Sequence, residues 1–304
     1  MIHLDRPAYL GLDRSAAFRN YFGAGVRDYG LHFAGSRAAS YCPGVYDEAE
    51  AFLAESLGVE AALLTSSGSL AAKLATEGLE GLGYDIGDAR GAGDGSAGIH
   101  PAWGSAGRGA AGGGSQRAVR RVSVDPITLA VTPPPQPDAD VLDVTDASHD
   151  LFLRPGTPLL EGKLHRRQLL VGSLGKALSV PAGIVAGPAA VVEAVRGLAA
   201  FRGASPPPPA YVSAVLEGWR LVEAAQRRLS DIVAAVAGSP NGSTLRGYPV
   251  ILVRDVSPRT RLREGGFVLS AVPYPTLASE VAYRVVLRAD LRDDVVGALT
   301  RALR

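Results

Sequence analysis

The chain has 304 residues, 47% of them hydrophobic, and 31 basic side chains stand against 30 acidic ones for a formal net charge of +1. That length and apolar content suit one large globular unit or two domains and exclude a chain disordered throughout. Balanced charge without a Lys/Arg run excludes an electrostatic footprint for nucleic acid, and the single cysteine, Cys42, excludes an internal disulfide framework or a multi-cysteine metal site, as expected of a reducing compartment.

The first residues, MIHLDRPAYLGL, lack a basic stretch followed by an apolar one, and no run of about 18 or more apolar residues follows. Neither secretion nor membrane spanning is expected; the simple reading is a cytoplasmic protein that handles a small molecule. Asp47 to Leu57 has near-helical apolar spacing, opens with acidic residues and stops at Gly58, which predicts a surface helix. Val59 to Leu64 is a short apolar run, Thr65 to Ser69 a polar turn, and Leu70 to Leu79 resumes helical spacing. Residues 91 to 115 hold ten glycines, which predicts mostly a mobile loop, and the proline-rich stretch from Thr132 to Asp140 reads as a surface connection.

Val141 to Val144 and Gln168 to Val171 are apolar runs that each end in a polar cluster, Thr145 to His149 and Gly172 to Lys176. Polar groups just past strand ends are where open α/β sheets build their sites, so a mainly parallel sheet with helices on both faces is expected. Helical spacing returns from Ala189 to Phe201, breaks over Gly203 to Pro209, and runs on as a long helix from about Ala210 to Val236. Strands are predicted at Pro249 to Val253, Gly266 to Val272 and Ala282 to Leu287, with a last helix from Asp293 to Leu303. The division expected is a large α/β domain over residues 1–215 and a small α+β domain over 216–304.

Six motifs follow one another along the chain: Ala8-Tyr9-Leu10-Gly11-Leu12, Gly35-Ser36-Arg37, Ser66-Ser67-Gly68, Asp146-Ala147-Ser148-His149, Gly172-Ser173-Leu174-Gly175-Lys176-Ala177, and Gly183-Ile184-Val185-Ala186-Gly187-Pro188. In this order they resemble the α-oxoamine synthases, a family within the class I/II aminotransferase superfamily that uses pyridoxal 5'-phosphate (PLP). The resemblance spans roughly residues 8 to 290, more poorly over 85 to 140, and implies the aspartate aminotransferase fold (fold type I).

It also implies site roles, and for several of them the residue types are chemically apt. Lys176 would hold PLP as a Schiff base, Asp146 would face the pyridine nitrogen and keep it protonated, and His149 would lie near the ring oxygen O3′. Ser67, Gly68 and Ser69 would offer a helix N-terminus to the phosphate, joined by Ser173. His100 falls where the family stacks a histidine on the ring, with Trp103 as an alternative, and Ser123 resembles a serine near O3′. Ser205 resembles a residue that reaches the phosphate of a neighbouring subunit, which implies a homodimer. Arg37 suits a structural ion pair as well as a substrate carboxylate. Cys42 reads as a packed side chain, and the glycine tract lacks the strand-anchored fingerprint of a dinucleotide site.

Three departures from the family pattern bear on the reaction. Ser270 stands where the family has an arginine for the substrate carboxylate, which leaves Arg37, Arg261 or Arg263 to supply the charge or points to a substrate without one. The chain also begins at the Tyr-Leu-Gly-Leu motif, without the segment that family members place over the site, and Val119 replaces a family glutamate. The reading is a PLP-dependent transferase acting on an amine or amino acid, with aminotransfer placed before α-oxoamine synthesis because of Ser270. A catalytically silent homologue that acts as a binding protein is the alternative of another class.

Overall fold

The computed structural model describes residues 1–89, 116–125, 127, 129–132, 140–159, 164–237, 247–273 and 281–304. The chain opens with β1 (Ile2–Leu4), a 3-10 turn at Leu12–Arg14 and helix α1 (Ala16–Tyr29). It continues through α2 (Val45–Leu57), β2 (Ala61–Thr65), α3 (Gly68–Gly81), β3 (Asp85–Asp88), β4 (Arg117–Val122), β5 (Val141–Asp146) and β6 (Gln168–Ser173). The single turn α4 (Leu174–Ala177), β7 (Gly183–Gly187), α5 (Ala189–Gly197), α6 (Ala199–Gly203), α7 (Pro209–Glu217) and α8 (Trp219–Ala237) come next. The remainder is β8 (Val250–Leu252), α9 (Val256–Glu264), β9 (Phe267–Pro273), β10 (Val281–Val286) and α10 (Asp293–Leu303).

Six strands form one sheet in the order β2-β7-β6-β5-β4-β3. The pairs β3/β4, β4/β5 and β5/β6 are parallel, whereas β7 runs antiparallel to both of its neighbours. Both faces are covered, so the central strands alternate between two cores as a two-residue period requires. On β6 and β7, Leu170, Ile184 and Ala186 enter a core shared with α2, α7 and α8, while Leu169, Val171 and Val185 enter one with α3 and α5.

A second sheet has the order β1-β9-β10-β8, with β1 parallel to β9 and the other pairs antiparallel. The first strand thus crosses the boundary drawn at residue 215 and joins the C-terminal strands. Helix α9 packs against β9 of this sheet, and α10 packs on α8 and α9. In α8 the buried residues Val222, Gln226, Leu229, Val233 and Val236 recur at three- and four-residue spacing.

The helix predicted from Ala210 to Val236 is two helices, α7 and α8, divided at Gly218. There a side chain would meet the Ala214 carbonyl at 2.6 Å and the rings of Phe18 and Tyr21 at 3.4 Å. Leu198, extended at φ −64° and ψ 138°, similarly divides the run from Ala189 to Phe201. Helix α1 carries glycines that interrupt its apolar spacing. Gly25 serves packing, since a Cβ there would stand 2.8 Å from the Ala210 carbonyl where α1 crosses α7. Among the described residues, no helix is long and apolar enough to cross a membrane.

Candidate active site

The C-terminal ends of β5 and β6 and the N-terminus of α3 meet around a cavity of about 140 Å³ walled by Ser67, Gly68, Ser69, Ala72, Asp146, Ser148, Ser173 and Lys176. Each element delivers its side chain for a local reason. Ser67, extended at φ −162°, caps α3 by accepting a hydrogen bond from the Leu70 N–H at 3.2 Å, and its own carbonyl accepts one from the Thr65 hydroxyl at 2.9 Å. The N–H groups of Gly68 and Ser69, in the first turn, have no carbonyl to bond within the helix and lie at its positive end. A helix N-terminus with no acidic residue in its first turn suits an anion.

Two glycines make this cradle possible by close approach. A Cβ on Gly68 would stand 2.8 Å from the Cβ of Ser173, and one on Gly183 would collide with the Ser67 carbonyl and lie 2.6 Å from the Gly68 nitrogen. The start of α3 therefore rests directly on the ends of β6 and β7, which brings the Ser67–Ser69 turn against Ser173.

Asp146 ends β5, is 6% exposed, and accepts a hydrogen bond from the Ser148 N–H at 2.9 Å. Lys176 follows β6 in the α4 turn. Burial pushes its amine below the ordinary lysine value, and the negative charge of Asp146 offsets this in part. The cavity thus brings together an amine biased towards its neutral, nucleophilic form, a buried carboxylate, four serines and a helix N-terminus.

The structure brings Ser67, Gly68, Ser69, Asp146, Ser173 and Lys176 together in one cavity wall. His149 directly follows the lining residue Ser148 but is not itself among the lining residues, and its Nδ1 lies 2.9 Å from the Tyr9 hydroxyl. Ser123 is 1% exposed, and its hydroxyl donates to the Asp146 carbonyl at 3.1 Å, so it supports the backbone of Asp146. Ser205 is exposed, before α7, and is not among the lining residues. His100 and Trp103 lie outside the described residues.

Arg37 is engaged away from the cavity. Its guanidinium donates to Glu50 at 2.7 Å and to Asp47 at 3.1 Å and lies 4.6 Å over the Tyr46 ring. Glu50 also accepts from Arg196 at 3.1 Å and from the Leu64 N–H at 2.9 Å, which makes it a junction of α2, α5 and β2. Arg261 donates to the Ala302 carbonyl at 3.0 Å, and Arg263 lines a separate groove along α9.

The guanidinium beside Ser270 belongs to Arg284, which faces it across the β9/β10 pair and donates to its hydroxyl at 3.0 Å. Its place opposite Ser270 follows from the register of β9 and β10, which no local sequence pattern sets. Ser148 was also missed, although an aspartate two residues before it is the pattern of a side-chain-capped turn. Among the described residues, no cluster of His, Cys, Asp or Glu could hold a metal ion.

No family model and no curated protein matches the chain. Solved structures do. Serine palmitoyltransferase from Sphingomonas wittichii superposes with a TM-score of 0.75 at 16% identity, over 99% of this chain and 86% of that one. A high-resolution structure of SPT with PLP gives 0.77 at 16% identity over the same shares. 8-Amino-7-oxononanoate synthase from Francisella tularensis gives 0.69 at 16% identity, over 100% of this chain and 96% of that one. The chain has the fold of the PLP-dependent fold type I enzymes.

Proposed function

We propose that this chain is a PLP-dependent transferase that holds its cofactor in the cavity between α3, β5 and β6. The observation that carries the reading is the convergence of Lys176 and Asp146 on a cavity that the N-terminus of α3 also walls. The donor set fits the group: an amine for the aldehyde, a buried carboxylate for the pyridine nitrogen, and hydroxyls with backbone N–H groups for the phosphate. When bound, PLP supplies an aldehyde that condenses with amines and a ring that accepts electrons from the substrate α-carbon.

The protein's own groups then have separate tasks. Lys176, its pKa lowered by burial, is biased towards the neutral amine and, once displaced by a substrate amine, moves the proton at the substrate α-carbon. Asp146, held through the Ser148 N–H, keeps a proton on the pyridine nitrogen. Gly68, Ser69 and Ser173 bind the phosphate. His149 orients O3′, with Ser123 acting on it through the Asp146 backbone.

Of the two transfer reactions, α-oxoamine synthesis is favoured over the aminotransfer placed first on sequence grounds. The structural neighbours are a serine palmitoyltransferase and an 8-amino-7-oxononanoate synthase. Arg284 beside Ser270 also restores a guanidinium where the sequence suggested none, so the argument against an amino acid substrate loses its force. A homodimer completed by Ser205 of the neighbouring copy and a cytoplasmic setting belong to the same proposal. The test is incubation of PLP-loaded protein with amino acid and acyl-CoA panels: free CoA supports the synthase, and a keto acid with pyridoxamine phosphate supports aminotransfer.

A further inference from the structure

Three side chains from distant parts of the chain meet beside the cavity. Tyr9 follows β1, Tyr248 precedes β8, and His149 follows β5. The Tyr9 hydroxyl lies 2.9 Å from His149 Nδ1 and 3.1 Å from the Tyr248 hydroxyl, and the Tyr9 and His149 rings meet edge to face at 72°. Tyr9 is 1% exposed and Tyr248 is 0% exposed.

Each phenol has one hydrogen to give, and this decides the direction of the chain. Among the described residues the Tyr248 hydroxyl has one hydrogen-bond partner, Tyr9. Were Tyr9 to donate to Tyr248, the Tyr248 hydrogen would be buried without an acceptor, which native interiors avoid. Tyr248 therefore donates to Tyr9, and the single Tyr9 hydrogen goes to His149 Nδ1. An imidazole nitrogen that accepts carries no hydrogen, so the ring hydrogen of a neutral His149 resides on Nε2.

We infer that the Tyr248–Tyr9 pair fixes His149 as the Nε2–H tautomer, so that the ring meets the cofactor as a hydrogen-bond donor. Tyr9 and Tyr248 are positioning residues in this account, which rests on the proposed PLP site for its functional meaning. Burial raises the Tyr9 phenol to about 12 and the Tyr248 phenol well above its usual value, so both keep their hydrogens across the working pH range. The charges of Asp150 and Arg284 act on both phenols in opposite senses. Because Tyr9 follows β1 and Tyr248 precedes β8 of the second sheet, the placement of that sheet is coupled to the tautomer of a residue just past the C-terminal end of β5 in the first.

Long-range ¹⁵N–¹H spectra of the histidine rings in the PLP-free protein, with His149 assigned through His149→Gln, test this directly. The expected spectrum shows His149 protonated at Nε2 and not at Nδ1, with the Nε2–H fraction falling in Tyr9→Phe. A wild-type His149 protonated at Nδ1, or an unchanged fraction in Tyr9→Phe, overturns the inference. If Tyr9→Phe does not fold, Tyr248→Phe carries the comparison: a reduced Nε2–H fraction is expected, and no change contradicts the relay. Covalent capture of PLP by the wild type, measured separately, reports on the cofactor site alone, so failure of either idea is distinguishable from failure of the other.

Discussion

Gly183 at the start of β7 lies flat against the Ser67–Gly68 peptide, closer than any side chain allows. This contact sets the height of the α3 N-terminus over the sheet and hence the position of the N–H groups assigned to the phosphate. Gly183→Ala should displace the turn, weaken PLP binding at least tenfold, and destabilise the fold by about 1–3 kcal/mol as overpacking does. Gly197→Ala, where an added Cβ meets nothing within 4 Å, is the control and should leave both unchanged. Parallel PLP titrations and thermal melts check the pair.

Burial lowers the Lys176 pKa, which fixes the sign of its pH dependence. A lysine whose folded pKa lies below its unfolded value of 10.5 contributes most above 10.5, and that contribution is lost as pH falls through the folded value. In the PLP-free protein, Lys176→Met should therefore gain stability relative to wild type at neutral pH, and the gain should shrink as pH approaches 10.5. Urea melts at several pH values would show it, and a gain that grows with pH would contradict the assignment. Asp146→Asn removes the charge that favours the ammonium, so the rate of PLP capture by Lys176 should reach its plateau at lower pH in that variant.

Glu50 is 4% exposed and binds two arginines and a backbone N–H. Glu50→Gln takes the buried carboxylate from Arg37 and Arg196, leaving them only the exposed Asp47 and Glu193, and should cost about 3–5 kcal/mol, the usual loss on breaking a buried pair. Arg37→Ala should lower the melting temperature and leave the substrate KM unchanged. A large rise in KM with unchanged stability would instead restore the substrate-carboxylate reading of Arg37.

Arg284 donates to Ser270 from the neighbouring strand and is 9% exposed. If it supplies the charge for a substrate carboxylate, Arg284→Lys should raise KM for amino acids about tenfold or more, because an ammonium cannot replace the planar fork. Amines without a carboxylate should be spared. Equal effects on both substrate classes would assign the residue to structure alone.

The fold class was legible in the sequence because apolar runs ending in polar clusters mark strand ends, as at Val141 to His149 and Gln168 to Lys176. The last helix was read at its observed bounds because Asp293 and Asp294 open it and four apolar residues recur on one face. What escaped was non-local. β1 is three residues long and gains its identity from pairing with β9.

β4 carries two buried arginines that hydropathy places outside. Arg120 is held by Asp88 at 2.7 Å, and Arg121 by Asp143 at 2.9 Å. In the site, the motif residues of α3, β5, β6 and α4 were found together because each is local to a strand end or helix start. Tyr248 and Arg284 act through partners 239 and 14 residues away, and no local pattern announces them.

Lys176 is proposed to capture PLP in the cavity between α3, β5 and β6. The most direct measurement is borohydride reduction of the protein incubated with PLP, followed by mass spectrometry of the peptides, with Lys176→Ala alongside. One phosphopyridoxyl group is expected, on Lys176, and none in the variant. A modification spread over surface lysines, or equal labelling of wild type and variant, would contradict it.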